Sequence, residues 1–264
     1  MKRFWSETHY LFHLLRVGTK SASALRASFW IQIGVMFFQN FIFLSIWFFF
    51  FQKFQEIRGW KMSDYYLLFG IANISFGMLS IFFGGAFRLS EMIITQGIEP
   101  YMTQPKSILI QTIGSDSKPS GWGDIFSGLV MFGLSGYASF KNWPYLILII
   151  LTSFFLMTAT TIIIHSLVFW VRSLEQMTES MFFMFMHLCV QPNHIFQGML
   201  KLIIYTIVPV AFISTLPVEM IRSNSPSYLG VILIATFLYS SIAVFIFYKG
   251  LQRYESGNQF SLKG

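Results

Sequence analysis

Residues 27–51 read ASFWIQIGVMFFQNFIFLSIWFFFF, from Ala27 to Phe51 without a formal charge. A helix rises about 1.5 Å per residue, so ~20 such residues cross a ~30 Å hydrocarbon core. This stretch is the first span, and its Phe48–Phe51 run is the far end. Working outward, a short polar loop, Gln52–Lys61, leads to a second apolar run at 65–87. That run carries Gly70, Gly77, Gly84 and Gly85, small residues that let helices approach closely. A third run, 122–140, is again glycine-rich, with Gly123, Gly128, Gly133 and Gly136. A fourth, 144–171, opens beside Trp143-Pro144, and a last one runs from Tyr228 to Tyr248. Between them, 180–190 is apolar for only half a span, and 199–217 is apolar with Lys201 near one end and Pro209 inside. Either 199–217 is the fifth span, or 178–197 spans and 199–221 is a re-entrant hairpin. Both readings predict an all-α membrane protein with six transmembrane helices.

Composition closes off the other classes. Hydrophobic residues are 55% of the 264, 32 of them Phe, and charged residues only 11%. A soluble domain carries ~25% charged residues and could not hide this much apolar surface. A soluble enzyme, a disordered chain and a nucleic-acid-binding domain are excluded. The net charge of +7 then reports cytoplasmic loops and anionic headgroups. With the N terminus inside, twelve of the 18 Lys and Arg fall on the cytoplasmic side, which places both termini there. Cys189 is the one cysteine, so no intramolecular disulfide forms.

Ahead of the first span, 4–20 read FWSETHYLFHLLRVGTK. Phe4, Leu11, Phe12 and Leu15 share a face flanked by Lys2, Arg3, Arg16 and Lys20, as in an amphipathic helix lying in the interface. We expect it to be retained in the mature chain, since no small-residue cleavage site follows. One domain over 1–264 is predicted: the interfacial helix at 1–26, spans 1–2 over 27–87, a polar segment at 88–120, spans 3–4 over 121–171, spans 5–6 over 172–250, and a cytoplasmic tail at 251–264.

Few residues offer chemistry. Gly-Lys never occurs, so there is no P-loop, and ATP-driven work must come from a partner. His187, Cys189 and His194 offer three soft ligands without a fourth, and His9 and His13 only two, so no metal site is expected. Met177, Met181, Met184 and Met186 read as flexible packing. His165 lies within the fourth span and is taken as a helix-packing hydrogen-bond donor, the single ionisable group expected at depth. The polar segment 88–120 reads either as a solvated loop or as a docking element for a soluble partner. Pro100 and Pro105 would give it a fixed shape.

Within that segment, Ile94-x-x-Gly97-x-Glu99-x-Tyr101-Met102-x-x-Pro105 resembles a motif of the ABC-2 type permeases. Pro192-x-x-Ile195-Phe196, then Ile207-Val208-Pro209-Val210-Ala211-Phe212-Ile213 and Leu216-Pro217, are similar to the stretch before that family's last span. Phe169-Trp170, at the end of the fourth span, also fits. The chain departs at Glu99, where the family more often has Asp, and at Pro100, which follows it directly.

The resemblance implies a permease subunit of about this length in the bacterial plasma (inner) membrane. It implies a second permease, identical or related, and two ATPase subunits that bind ATP and Mg. No catalytic residue or bound cofactor is implied for this chain. Arg88, Glu91, Gly97, Glu99 and Pro105 would form the ATPase-coupling loop, and Arg172 and Glu175 a secondary contact. Pro209 and Pro217 would lie near the outer face and shape the exit of the pathway. Uncharged, Phe-rich spans suit export of a hydrophobic or amphipathic cargo. A self-sufficient secondary carrier would need ionisable groups at mid-membrane, and an embedded enzyme convergent polar residues at one depth. A membrane assembly factor leaves no sequence mark.

Overall fold

The computed structural model describes residues 26–57, 59–137, 142–192, 196–223 and 225–254. The expected interfacial helix up to Leu25, with His9 and His13, lies outside the described residues, as do His194 and the tail from Glu255. In chain order the described helices are α1 (Arg26–Lys53), α2 (Met62–Phe82), α3 (Leu89–Ile94), α4 (Glu99–Met102), α5 (Ile108–Ile113) and α6 (Ser120–Leu134). Then come α7 (Trp143–Ser166), α8 (Glu175–Cys189), α9 (Gly198–Thr206), α10 (Leu216–Ser223) and α11 (Ser227–Leu251). A 3₁₀ turn, Gly84–Arg88, follows α2, and a π turn, Ala211–Thr215, precedes α10. Helices α1, α2, α7 and α11 are each long and apolar enough to cross a membrane.

The glycines decide how closely the bundle packs. Helix α6 lies antiparallel against α2, with Gly121 facing Gly77 and Gly128 facing Gly70. A methyl on Gly77 would come within 2.5 Å of the Gly121 carbonyl oxygen, and one on Gly128 within 2.7 Å of the Ile74 side chain. Backbones this close gain dispersion contacts that larger side chains would prevent, which is the main attractive term between helices in lipid. On another face of α6, Gly123 seats against the Ile33 carbonyl and Met36 of α1. Gly133, by contrast, faces open space.

Although α6 has only 15 residues, it is tied to both ends of α2. At one end the Lys118 N–H donates to the Ser80 carbonyl (2.9 Å). At the other the Tyr137 hydroxyl donates to Asp64 (2.6 Å). The helix stops short of the expected 140 because Gly136 turns the chain at φ 74°. Asp64 is almost wholly buried yet well satisfied. It also accepts from the Lys61 backbone N–H (2.9 Å), capping α2, and Arg222 stands 3.9 Å away.

Residues 199–217 do not form one helix. Pro209 has no N–H to donate and its ring blocks the preceding turn, so α9 ends at Thr206 and the chain folds back through the π turn into α10. The tip of this hairpin reaches the middle of the bundle. Tyr239, halfway along α11, donates to the Thr206 carbonyl (2.7 Å), and Ser153 of α7 donates to the Ile213 carbonyl (2.9 Å). Pro209 and Pro217 are both buried. Helix α8 runs alongside, with Thr178 beside Ser90 at one end and the carbonyl of Val190, just past its last residue, accepting from Tyr65 (2.9 Å) at the other.

Candidate functional site: a segment of short helices tied to the bundle

Residues 84–119 join α2 to α6, and the polar look of this stretch hides a buried face. Leu89, Ile93, Ile98, Leu109 and Ile113 pack with Ala159 and Ile162 of α7, Val168 just beyond it, and Ala243 and Phe247 of α11. Gly84 and Gly85 let the chain lie directly on the backbone of 112–116. Gln96, at φ 65°, turns α3 toward α4. What remains outside is a rim: Glu91, Pro100, Met102, Thr103, Gln104 and Pro105 are exposed.

Hydrogen bonds fasten the segment to four long elements. Ser90 Oγ lies 3.0 Å from His165 Nδ1 in α7 and 3.1 Å from Thr178 Oγ1 in α8. Ser107 caps α5 and bonds to the Tyr248 hydroxyl of α11 (3.0 Å). The Lys118 bond to Ser80 completes the set on α2. Within the segment, buried Gln111 donates to the carbonyls of Tyr101 and Lys106, both at 3.4 Å, which holds the proline-flanked tip. These bonds join the segment to the ends of α2, α7, α8 and α11.

Charge on this block lies at or near its surface. Arg88 and Glu91 pair at 2.9 Å, both more than half exposed. The hydrogen bond and charge of the guanidinium hold the Glu91 carboxyl below the usual range, and the carboxylate raises Arg88. An exposed pair of this kind adds little stability, so its place on the rim is what counts. The Lys118 ammonium sits 4.2 Å from the Phe87 ring centre, and burial lowers its pKa.

The sequence-predicted residues divide into two groups. Arg88 and Glu91 are side by side at the start of α3, while Gly97, against Met92, forms the turn into α4. Glu99 and Arg172 both act on the Tyr254 hydroxyl, whose pKa burial and the Glu99 carboxylate raise. The expected secondary contact thus adjoins the main one. Glu175 opens α8, where its carboxylate complements the helix dipole. Pro209 and Pro217 are well removed, in the hairpin. Cys189 is buried, and His187 Nδ1 bonds to the Phe183 carbonyl (2.8 Å). Among the described residues no three His, Cys, Asp or Glu converge as a metal site.

A family model described as "ABC-2 family transporter protein" matches residues 35–258. The chain belongs to the ABC-2 transporter family. It is a multi-pass membrane protein of transport, and an ABC-2 chain works with ATP-binding subunits. Comparison with curated proteins and with solved structures finds no match.

One expectation about this ABC-2 protein is corrected. His165 is not the single ionisable group at depth, because Asp124 in α6 is 1% exposed. Its Oδ1 accepts from Asn40 at the middle of α1 (2.8 Å), and Asn40 also reaches Ser127 (2.9 Å). Asp124 sits only four residues inside α6, next to the polar 88–120 segment. Its burial depends on a partner 84 residues away.

Proposed function

We propose that the chain is the transmembrane permease subunit of an ATP-binding cassette exporter for a hydrophobic or amphipathic substrate, driven by a separate ATPase subunit. The observation that carries this reading is the 84–119 segment. It offers an exposed rim to a soluble partner while bonded through Ser90, Ser107 and Lys118 to α2, α7, α8 and α11. Motion of an ATPase pair that closes on ATP would pass through this rim to the helices, shifting the balance between two packings. Arg88, Glu91, Gly97, Glu99 and Pro105 form or shape the docking surface, with Arg172 and Glu175 beside it.

We read α1, α2, α6, α7, α8 and α11 as six crossings and α9–α10 as a re-entrant hairpin. On that reading both termini and the 84–119 segment face the cytoplasm of a bacterial cell. Broken backbone at membrane depth is tolerated where it is buried in protein, and the bonds from Tyr239 and Ser153 supply such burial here. The hairpin, with Pro209 at its tip and Pro217 on its returning limb, would shape the outward end of the pathway. The apolar outer faces of α1 and α11, with Phe38, Phe49, Phe237 and Phe245 exposed, suit lipid and a second permease, identical or related.

The test is co-purification from detergent-solubilised native membranes, with bound proteins identified by mass spectrometry. Wild type should recover a P-loop ATPase, and Glu99→Lys and Met102→Glu, both at the rim, should lose it. Recovery of no ATPase, while other membrane complexes survive the same detergent, would remove the permease reading. A self-sufficient carrier is favoured by one observation, the buried Asp124. It predicts cargo movement in vesicles that contain this chain and no ATP.

A further inference from the structure

A cavity of about 190 Å³ lies between α1, α2, α6 and α8. Its floor is polar, made of Asn40, Asn73 and Asp124, and its walls are aromatic and thioether, with Phe43, Phe76 and Phe182 among them. These six groups come from four helices far apart in sequence, so the cavity exists only in the assembled bundle. Gln39, Phe183 and His187 are exposed at the mouth, which opens sideways between α1 and α8. Phe43 and His187 meet across it with ring centres 6.0 Å apart.

The floor is unbalanced. Asp124 Oδ1 is satisfied by Asn40, but Oδ2 is buried and has no hydrogen-bond partner. The Asn40 amide N–H₂ is spent on Asp124 and Ser127, and that of Asn73 points to Ser127 (3.4 Å) and Met131 Sδ (3.8 Å). With their nitrogens committed, the two carboxamides can offer a guest only acceptor oxygens. Among the described residues, no Lys or Arg lines the cavity. A buried carboxylate without a counter-charge costs several kcal/mol by order of magnitude, so Asp124 either takes up a proton or is completed by a donor or cation from outside. Acceptors below and aromatic faces around are the surroundings that hold an ammonium group. The volume fits one ring: a dry cavity of ~150 Å³ takes up benzene.

We propose that this cavity is a binding site for a protonated amine carried on a hydrophobic body, with Asp124 as its counter-ion. The ammonium sits against Asp124 Oδ2 and the carboxamide oxygens. The apolar part lies along Phe43, Phe76 and Phe182 and leaves through the lateral mouth. This narrows the exporter reading to cationic amphipaths, and rests on that reading for transport alone; binding requires no ATPase.

The experiment is equilibrium dialysis of radiolabelled 4-phenylbutylamine, with 4-phenylbutanol as the neutral match, against the full chain purified in detergent. Wild type should bind the amine saturably and at least about tenfold more tightly than the alcohol, the scale of a hydrogen bond to a charged group. Asp124→Asn preserves shape and should abolish that preference. Met186→Trp narrows the cavity from its rim without touching the Asp124–Asn40–Ser127 bonds, and should also weaken the amine. Equal binding of amine and alcohol by wild type overturns the proposal, as does no saturable amine binding or an Asp124→Asn variant that keeps the preference. Should Asp124→Asn fail to fold, unchanged amine binding in Met186→Trp overturns it. Amine binding without any recoverable ATPase would leave the site standing and remove the exporter reading.

Discussion

Adding a single methyl group to the α2–α6 seam tests the packing argument directly. In Gly77→Ala the new Cβ would lie 2.5 Å from the Gly121 carbonyl oxygen and 2.8 Å from Ile125 Cγ1. Ordinary contact begins at 3.4 Å, so the helices must part by about 0.9 Å at this point. The obstacle is backbone, so no rotamer change relieves it. Overpacking of this kind costs about 1–3 kcal/mol, while Ala in place of Gly returns up to ~1 kcal/mol of helix propensity. With the full propensity gain, the expected net loss is about 0–2 kcal/mol. Gly133→Ala, on the same α6 but facing open space, has the propensity gain and no clash, and should be neutral or stabilising. Thermal unfolding of the purified variants in one detergent reads the difference. Gly77→Ala and Gly121→Ala press on the same pair of backbones, so their combination should cost less than the sum. Equal midpoints for Gly77→Ala and Gly133→Ala would refute the claim that backbone contact sets this seam.

Four further outcomes are expected. Ser90→Ala leaves His165 Nδ1 buried without its partner and should cost about 1–3 kcal/mol in the same unfolding assay. Tyr248→Phe cuts the Ser107 tie to α11; it should raise protease cleavage at 103–105 with little change in unfolding midpoint. Asp64→Asn weakens the knot with Tyr137 and Arg222; Tyr137→Phe made on top of it should add less than Tyr137→Phe alone. Burial lowers the Lys118 pKa, so between that lowered value and the unfolded ~10.4 the unfolded chain binds more protons. This stabilising contribution is complete above the unfolded value and lost as pH falls through the folded one. Lys118→Met should flatten the rise in unfolding midpoint with pH across the alkaline range.

The long elements were legible because lipid leaves a helix few choices. Uncharged runs at 27–51, 144–171 and 228–248 became α1, α7 and α11, and Gly70, Gly77 and Gly128 announced a close seam without naming its partner. Where composition and depth disagree, the sequence misleads. Residues 88–120 look like a loop because their polar rim outnumbers Leu89, Ile93, Ile98, Leu109 and Ile113, whose burial against α7 and α11 is purely tertiary. The hairpin 198–223 reads equally as one span over 199–217 or as a re-entrant pair of limbs, because both limbs are apolar and Pro209 alone marks the break. Asp124 was hidden by its neighbours, since nothing in Gly121-Trp122-Gly123-Asp124 reveals that Asn40 stands opposite. Of the candidate site, Arg88, Glu91 and Glu99 were legible as charges on a polar stretch. The ties through Ser90, Ser107 and Lys118 were not, because a serine that joins helices looks in sequence like a serine in water.

The way α1 is held has a mechanical consequence. Its main described neighbour is α6, met along the line where Gly123 seats under Ile33 and Asp124 meets Asn40, and it touches α2 far less. Helices α2, α7, α8 and α11 are laced together at one end by the 84–119 segment, through Ser90, Ser107 and Lys118, and none of these three ties is to α1. On the proposed coupling, a push on the segment would act on those four directly and would reach α1 second-hand, through its contacts with α6 and, near its far end, with Tyr65 of α2. Along the α6 line α1 would then behave as a leaf on a hinge. Swinging that leaf would widen or shut the gap between Phe43 and His187, so force applied at the rim would be felt as the opening of a side door.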